Sequence, residues 1–343
     1  MLAEIREQPD ALARTLAEER KPIEDLRRRL AANPPRLVLL AARGTSDNAA
    51  LFARYLLEIT TGIPVSLAAP SIFTLYNASI NFDGVLVVAI SQSGESTDTN
   101  LVLERAREHG AVTIGVTNEP ASTLAHLAEH TFLVRAGKEK SVAATKTYTG
   151  QLLMAYLLAY ALGARMGADD LARIPELASI AVSLEDEIAA RSERYRFMDH
   201  SVVIGRGLNY SNAFEFALKL METCYVIAER FSAADLLHGP IAMIGQSFPM
   251  FLFTPSGVTW PGMRDMLTKL DGLGAETLII TDRSNREALD LHRRCVCLPA
   301  SIDEMLTPIP YIIPMQLFAA KLAEQKGLDP DRPRTLSKVT RTL

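Results

Sequence analysis

Apolar residues return along this chain at two different periods, and the alternation between them predicts the architecture. Over residues 1–33, Leu and Ala recur among Glu and Arg at helical spacing, with Pro9, Pro22 and the pair Pro34 and Pro35 as punctuation. That pattern predicts two short amphipathic helices ahead of the first domain. The apolar run Leu37–Ala42 follows, then the polar stretch Arg43-Gly44-Thr45-Ser46, then Leu51, Phe52, Tyr55 and Leu56 at steps of three and four. Such an order reads strand, loop, helix. It recurs at Val85–Ile90, at Ser91-Gln92-Ser93-Gly94-Glu95-Ser96 and in a helix over about Thr97–Glu108, closed by Gly110 before the strand Val112–Val116. Strands alternating with helices argue for an α/β fold, a doubly wound parallel sheet flanked by helices on both faces. The longest apolar run, Leu152–Leu162, falls short of the roughly 20 residues that cross a bilayer and predicts a buried helix.

The pattern also repeats over a longer distance. Gly44 in Ala-Arg-Gly-Thr is answered by Gly207 in Gly-Arg-Gly-Leu, 163 residues on, and Ser93-Gly94 by Ser256-Gly257 at the same distance. The segment Gly110–Asn118 is answered by Gly274–Asp282, 164 residues on. Three matches in register predict two copies of one domain. The expected boundaries are 36–165 and 199–325, with N-terminal helices over 1–35, a helical linker over 166–198 and a C-terminal tail over 326–343.

Composition and charge narrow the function. A net charge of −4 carries no basic excess for nucleic acid or an anionic membrane surface, so any anion must be held locally. Cys224, Cys295 and Cys297 form no C-x-x-C pair, which predicts neither a disulfide framework nor a zinc site and fits a reducing cytoplasm. Met1–Asp10 carries charges where a secretory signal needs an apolar core. No metal constellation and no G-x-G-x-x-G after a strand is present, so neither a metal nor a nucleotide cofactor is expected.

Candidate chemistry gathers at strand ends. In Ser91-Gln92-Ser93-Gly94-Glu95-Ser96, backbone N–H groups and three hydroxyls converge where a helix begins, a place suited to a phosphate. A Ser-rich helix cap is the plainer alternative, but a cap needs only one hydroxyl. The second copy has Thr254-Pro255-Ser256-Gly257, with a proline removing one donor, and predicts a degenerate site and one phosphate per chain. Arg43-Gly44-Thr45-Ser46 is a second cluster at the end of the first strand. Ser141–Lys146, ahead of the apolar helix, is a weaker third. In the second domain Glu215, Lys219 and Glu222, spaced by four and three, fall on one helix face. A solvated row of ion pairs is the default for that spacing. Phe214, Phe216, Leu218, Leu220 and Met221 shift the balance toward partly buried carboxylates whose pKa rises toward neutrality. His238, before Gly239 and Pro240, predicts a loop or helix end. His109, His126, His130 and His292 carry no such cluster, and Lys338 is by default a mobile tail residue.

Five ordered motifs, Ser-Gln-Ser-Gly-Glu, Thr-Lys-Thr-Tyr-Thr, Glu-Phe-Ala-Leu-Lys-Leu-Met-Glu, Leu-His-Gly-Pro and Asp-Arg-Pro-Arg-Thr-Leu-Ser-Lys, together resemble the double sugar-isomerase (SIS) domain of the glucosamine-6-phosphate synthases over nearly the whole chain. The resemblance implies two tandem SIS domains, a homodimer and a hexose 6-phosphate site built mostly on the first domain. Carried over by position, Ser91, Gln92, Ser93 and Ser96 match the phosphate loop, with Ser96 where the synthases usually have threonine. Ser46 and Val142 match further sugar-phosphate contacts, and Glu215 and Lys219 match helix residues close to the site. Glu222 matches the base that moves a proton between C1 and C2. His238 matches the ring-opening group donated by the partner subunit, and Lys338 the Schiff-base lysine. Ala144 replaces a serine, and residues 339–343 depart from the synthases' tail.

Residues 1–35 hold no glutaminase domain with its nucleophilic cysteine, so the expectation is the degradative direction: glucosamine 6-phosphate to fructose 6-phosphate and ammonia. Galactosamine-6-phosphate deamination, fructosamine-phosphate deglycation and plain aldose-ketose isomerisation stay open as alternatives. So does a non-catalytic sugar-phosphate sensor, against which stand Glu222, His238 and Lys338, because binding alone requires none of them.

Overall fold

The computed structural model describes residues 1–165, 168–291 and 294–338. Helices α1 (Leu2–Arg6) and α2 (Gln8–Ala32) open the chain. There follow β1 (Leu37–Ala41), α3 (Thr45–Thr61), β2 (Val65–Leu67), α4 (Ser71–Thr74), β3 (Val85–Ile90), α5 (Thr97–Glu108), β4 (Val112–Thr117), α6 (Thr123–Leu127), β5 (His130–Leu133), α7 (Lys146–Ala161) and α8 (Ala168–Ala172). The second half runs α9 (Ile174–Val182), α10 (Glu185–Glu193), β6 (His200–Gly205), α11 (Tyr210–Cys224), β7 (Ile227–Ser232), α12 (Ala233–Leu237), β8 (Pro249–Phe253), α13 (Trp260–Gly272), β9 (Glu276–Asp282), α14 (Arg286–Leu291), β10 (Cys295–Leu298) and α15 (Pro308–Gln325).

Two compact units result. The first comprises Glu7–Lys140, Ala144–Arg173 and the tail from Ser337; the second comprises Met1–Arg6, Ser141–Ala143 and Ile174–Leu336. The helical stretch after the first sheet thus divides between Arg173 and Ile174, and three short segments, Met1–Arg6, Ser141–Ala143 and the tail from Ser337, belong to the unit of the other half of the sequence.

Each unit holds one five-stranded parallel sheet. The orders are β2-β1-β3-β4-β5 and, in the same sense, β7-β6-β8-β9-β10. Identical strand order is the structural form of the sequence repeat: Thr97 opens α5 and Trp260, 163 residues on, opens α13. Gly44 and Gly207 both have φ of +56°. All six residues of β3 and all seven of β9 are buried, as central strands covered by helices on both faces must be. In the first unit Val85, Val87 and Ala89 pack with Phe73, Phe82, Val102, Leu103 and Leu124. In the second, Tyr195, Phe216, Phe251 and Phe318 meet edge-on or tilted with ring centroids 5.1–5.7 Å apart, the geometry that aromatic quadrupoles favour.

The predicted buried helix is α7, in which every residue except Tyr160 is buried. Among the described residues no helix is long and apolar enough to cross a membrane. The expectation of two short N-terminal helices is corrected: α1 has 5 residues, but α2 runs for 25, through both prolines. Pro9 lies in its first turn, where the missing N–H has no partner to lose. Pro22 is exposed, so the Glu18 carbonyl it frees can face water, while Leu12, Ile23, Leu26 and Leu30 stay buried.

Candidate active site

An order of 2-1-3-4-5 places a topological switch between β1 and β3, and open α/β sheets bind ligands at the carboxyl ends of the strands there. Both polar clusters of the first unit leave those two strands. After β3, Gly94 sits at φ +67°. Its N–H donates to the Ser91 hydroxyl at 3.1 Å, and its carbonyl accepts from the Asn100 amide and the Leu124 N–H, each at 3.0 Å. The Glu95 N–H donates to the Ser93 hydroxyl at 3.2 Å, and the Ser96 hydroxyl pairs with that of Thr99 at 3.0 Å. Ser96 occupies the N-cap of α5 without capping a backbone N–H through its side chain. The hydroxyls therefore do not serve as the simple helix cap that was the plainer alternative.

Gly94 is required twice over. Beyond its positive φ, a Cβ there would lie 2.2 Å from the Ser122 hydroxyl oxygen and 3.0 Å from that of Thr117. Gly94→Ala is expected to lower stability by at least ~1–2 kcal/mol, the strain of a left-handed non-glycine residue, and to weaken phosphate binding. Denaturant titration and phosphate binding on one preparation check both effects.

After β1, Arg43 grips the buried Asp98 of α5 at 2.7 and 3.1 Å, tying one loop to the helix that follows the other. Ser46 lies in the first turn of α3, 7% exposed, and its oxygen accepts from the Gln151 amide of α7 at 2.9 Å.

Lys338 also belongs to the first unit, and it is not the mobile tail residue that its position suggests. Its ammonium is 2.8 Å from the carboxylate of Glu139, a fully buried side chain. Glu139 further accepts from the Thr145 N–H at 2.9 Å, the Thr147 N–H at 3.2 Å and the Thr147 hydroxyl at 2.8 Å. Burial pushes this carboxyl up, but Lys338 and the hydrogen bonds outweigh it and hold the pKa below the ordinary value. Lys146 is buried as well, 2.6 Å from Glu7 and 3.0 Å from the Lys138 carbonyl.

In the second unit, Glu215, Lys219 and Glu222 do share a face of α11. The Lys219 ammonium lies 2.5 Å from Glu222 and 3.4 Å from Glu215. The row is ion-paired like the default but buried like the alternative, with Glu215 and Lys219 fully enclosed and the Glu222 side chain 22% exposed. The carboxylates are buried as expected, and Lys219 supplies a countercharge inside that burial. Burial would lower the Lys219 pKa, but the two carboxylates raise it overall, so it stays an ammonium. Glu222 alone of the three reaches solvent, and it does so from a charged, rigid support.

His238 follows α12, exposed, its N–H bonded to the Asp235 carbonyl at 3.1 Å. Val142 lies in the second unit, where its N–H donates to the Asp331 carbonyl at 3.3 Å. Burial pushes the Cys224 thiol up to about 11 and raises Cys295 and Cys297 as well, so none is an activated nucleophile.

The second copy of the phosphate loop differs in what fills it. Ser93, Gly94 and Ser96 are answered by Ser256, Gly257 and Thr259. The Thr259 hydroxyl donates to the carboxylate of Glu304, and a Cβ on Gly257 would lie 2.3 Å from the other oxygen of that carboxylate. A carboxylate of the chain itself thus sits against the second loop.

The SIS domain model matches this chain twice, over residues 33–161 and 198–323. The chain belongs to the SIS domain family. It is 35% identical over 344 residues to a glutamine–fructose-6-phosphate aminotransferase (isomerizing) of Methanothermobacter thermautotrophicus, a match over 98% of this chain and 56% of that protein. The chain thus spans just over half the length of the curated relatives it matches. Among solved structures, the C-terminal domain of glucosamine-fructose-6-phosphate aminotransferase from Francisella tularensis superposes with a TM-score of 0.86 at 28% identity, covering 97% of this chain and 98% of that one. A glucosamine-6-phosphate deaminase from Thermotoga maritima gives a TM-score of 0.75 at 21% identity, covering 97% of this chain and all of that one, a likeness of fold.

Within this SIS pair, Ser46, Ser91, Gln92, Ser93, Ser96 and Lys338 fall in the first unit, and Val142, Glu215, Lys219, Glu222 and His238 in the second. The sequence reasoning missed three residues: Glu139, Gln151 and Glu304. Only Gln151 left a trace, as a lone amide within an otherwise apolar helical run. His292 and residues 339–343 lie outside the described residues.

Proposed function

We propose that this SIS protein deaminates glucosamine 6-phosphate, yielding fructose 6-phosphate and ammonia. The observation that carries the reading is Lys338, an amine-bearing side chain held by a buried carboxylate in the same unit as the candidate phosphate loop. Binding a phosphosugar requires no such lysine, whereas imine chemistry does.

The roles follow from the chemistry. The loop Ser91-Gln92-Ser93-Gly94-Glu95-Ser96, with Ser46, holds the phosphate. His238 moves the ring proton that opens the sugar, and the exposure of its side chain fits a group offered to a second copy in a homodimer. Glu222 takes the proton from C2 of the open aldose and returns it to C1, which converts the C2 amine to an imine. The neutral amine of Lys338 adds to that imine and expels ammonia; water then hydrolyses the lysine–ketose Schiff base, releasing fructose 6-phosphate and the free lysine. Net, one water is consumed and one ammonia released. Glu139, 2.8 Å from the lysine, holds that side chain in position. Val142 is assigned a contact with the sugar phosphate, and the enclosed Glu215 and Lys219 support Glu222.

A second reading is favoured by the match of 98% of the chain to isomerizing aminotransferases at 35% identity: the same groups run toward glucosamine 6-phosphate when ammonia is supplied. One experiment addresses both. Purified protein is incubated with glucosamine 6-phosphate, with galactosamine 6-phosphate alongside, and ammonia and fructose 6-phosphate are measured together; the reverse arm supplies fructose 6-phosphate and ammonium. Equal release of both products from glucosamine 6-phosphate is the expected result. Turnover in the reverse arm alone favours the second reading, and binding without turnover in any arm overturns both in favour of a sensor.

A further inference from the structure

Gln151 is 2% exposed and lies on α7, the most apolar helix of the first unit. Its amide nitrogen donates to the Ser46 hydroxyl oxygen at 2.9 Å, while its own carbonyl oxygen is buried with no hydrogen-bond partner among the described residues. A buried acceptor left unmet is a destabilising feature, so stability alone does not account for a glutamine here. What the amide does accomplish is directional. A serine oxygen that accepts an N–H cannot turn its own hydrogen toward that donor, and the O–H must point elsewhere.

We infer that Gln151 is a positioning residue: by donating to Ser46 it fixes that hydroxyl as a hydrogen-bond donor toward the anion bound at the β1/β3 switch point. The inference rests on the phosphosugar reading of that site. The amide turns the Ser46 hydrogen away from Gln151 and makes it available to a ligand oxygen, which suits a phosphate or carbonyl oxygen. A hydroxyl held in advance also loses less rotamer freedom on binding than a free one.

Calorimetric titration with fructose 6-phosphate, and separately with inorganic phosphate, tests this. Gln151→Leu removes the donor, and the near-isosteric Gln151→Glu replaces it with an acceptor that draws the serine hydrogen inward. Each is expected to weaken fructose 6-phosphate binding by about tenfold, the range of one hydrogen bond to a charged group. In a Ser46→Ala background neither substitution should weaken it further, because the residue they act through is gone. The thermal midpoint of Gln151→Leu should be unchanged or raised. Wild-type-like affinity in both variants, or full additivity with Ser46→Ala, overturns the inference. Failure of the unsubstituted protein to bind either ligand overturns the phosphosugar reading, and this inference with it.

Discussion

Replacing Glu222 by glutamine lowers kcat for the proposed deamination by about 10²–10⁴-fold, the contribution of a positioned general base, and leaves KM nearly unchanged. The side-chain amide keeps the length of the carboxylate and an oxygen that can still accept from Lys219, now 2.5 Å away. The buried pair of Lys219 with Glu215 at 3.4 Å survives, so α11 should keep its place. Ser93→Ala is the contrasting variant, raising KM with a smaller effect on kcat, since the loop grips the phosphate in ground and transition states alike. Steady-state kinetics on both variants checks the separation; a Glu222→Gln enzyme with ordinary kcat removes the base from this position.

Lys338→Arg should stop the reaction at the imine. Arginine keeps a positive charge for Glu139, whose carboxylate is fully buried, and so preserves the pairing that Lys338→Ala would abolish. What arginine lacks is a nitrogen that gives up its proton and forms a Schiff base. The expected loss in kcat is at least the ~10²-fold of a missing general base, with complete loss of the adduct that borohydride traps on the native enzyme incubated with fructose 6-phosphate. Mass spectrometry of the reduced protein decides the outcome: an adduct persisting in Lys338→Arg assigns the Schiff base to another lysine.

Much of the architecture was legible from periodicity alone. Strands such as β3 are continuous apolar runs because both faces are covered, and the helix over Thr97–Glu108 was delimited by its loop and by Gly110. The repeat was visible because the same turns need the same glycines in both copies, as the shared φ of Gly44 and Gly207 makes plain. What stayed hidden has a common physical form. Glu139 sits between Lys138 and Lys140 and resembles a solvated charge run, yet the chain returns 199 residues later to pair it with Lys338. Glu304 lies outside the repeat's matched segments, so nothing in its local sequence announces that it fills the second loop. The full length of α2 is hidden because a proline reads as a stop in sequence, whereas Pro22 lies on the exposed face of the helix.

Glu304 gives the second unit an occupant that never dissociates. Tethered in the same chain, its carboxylate faces the Thr259 hydroxyl at an effective concentration of the millimolar order that short linkers supply, or above it, so dissolved phosphate competes for that loop at a disadvantage. After a duplication of one ligand-binding ancestor, such an internal stand-in would let the copy keep its loop conformation while losing its need for substrate.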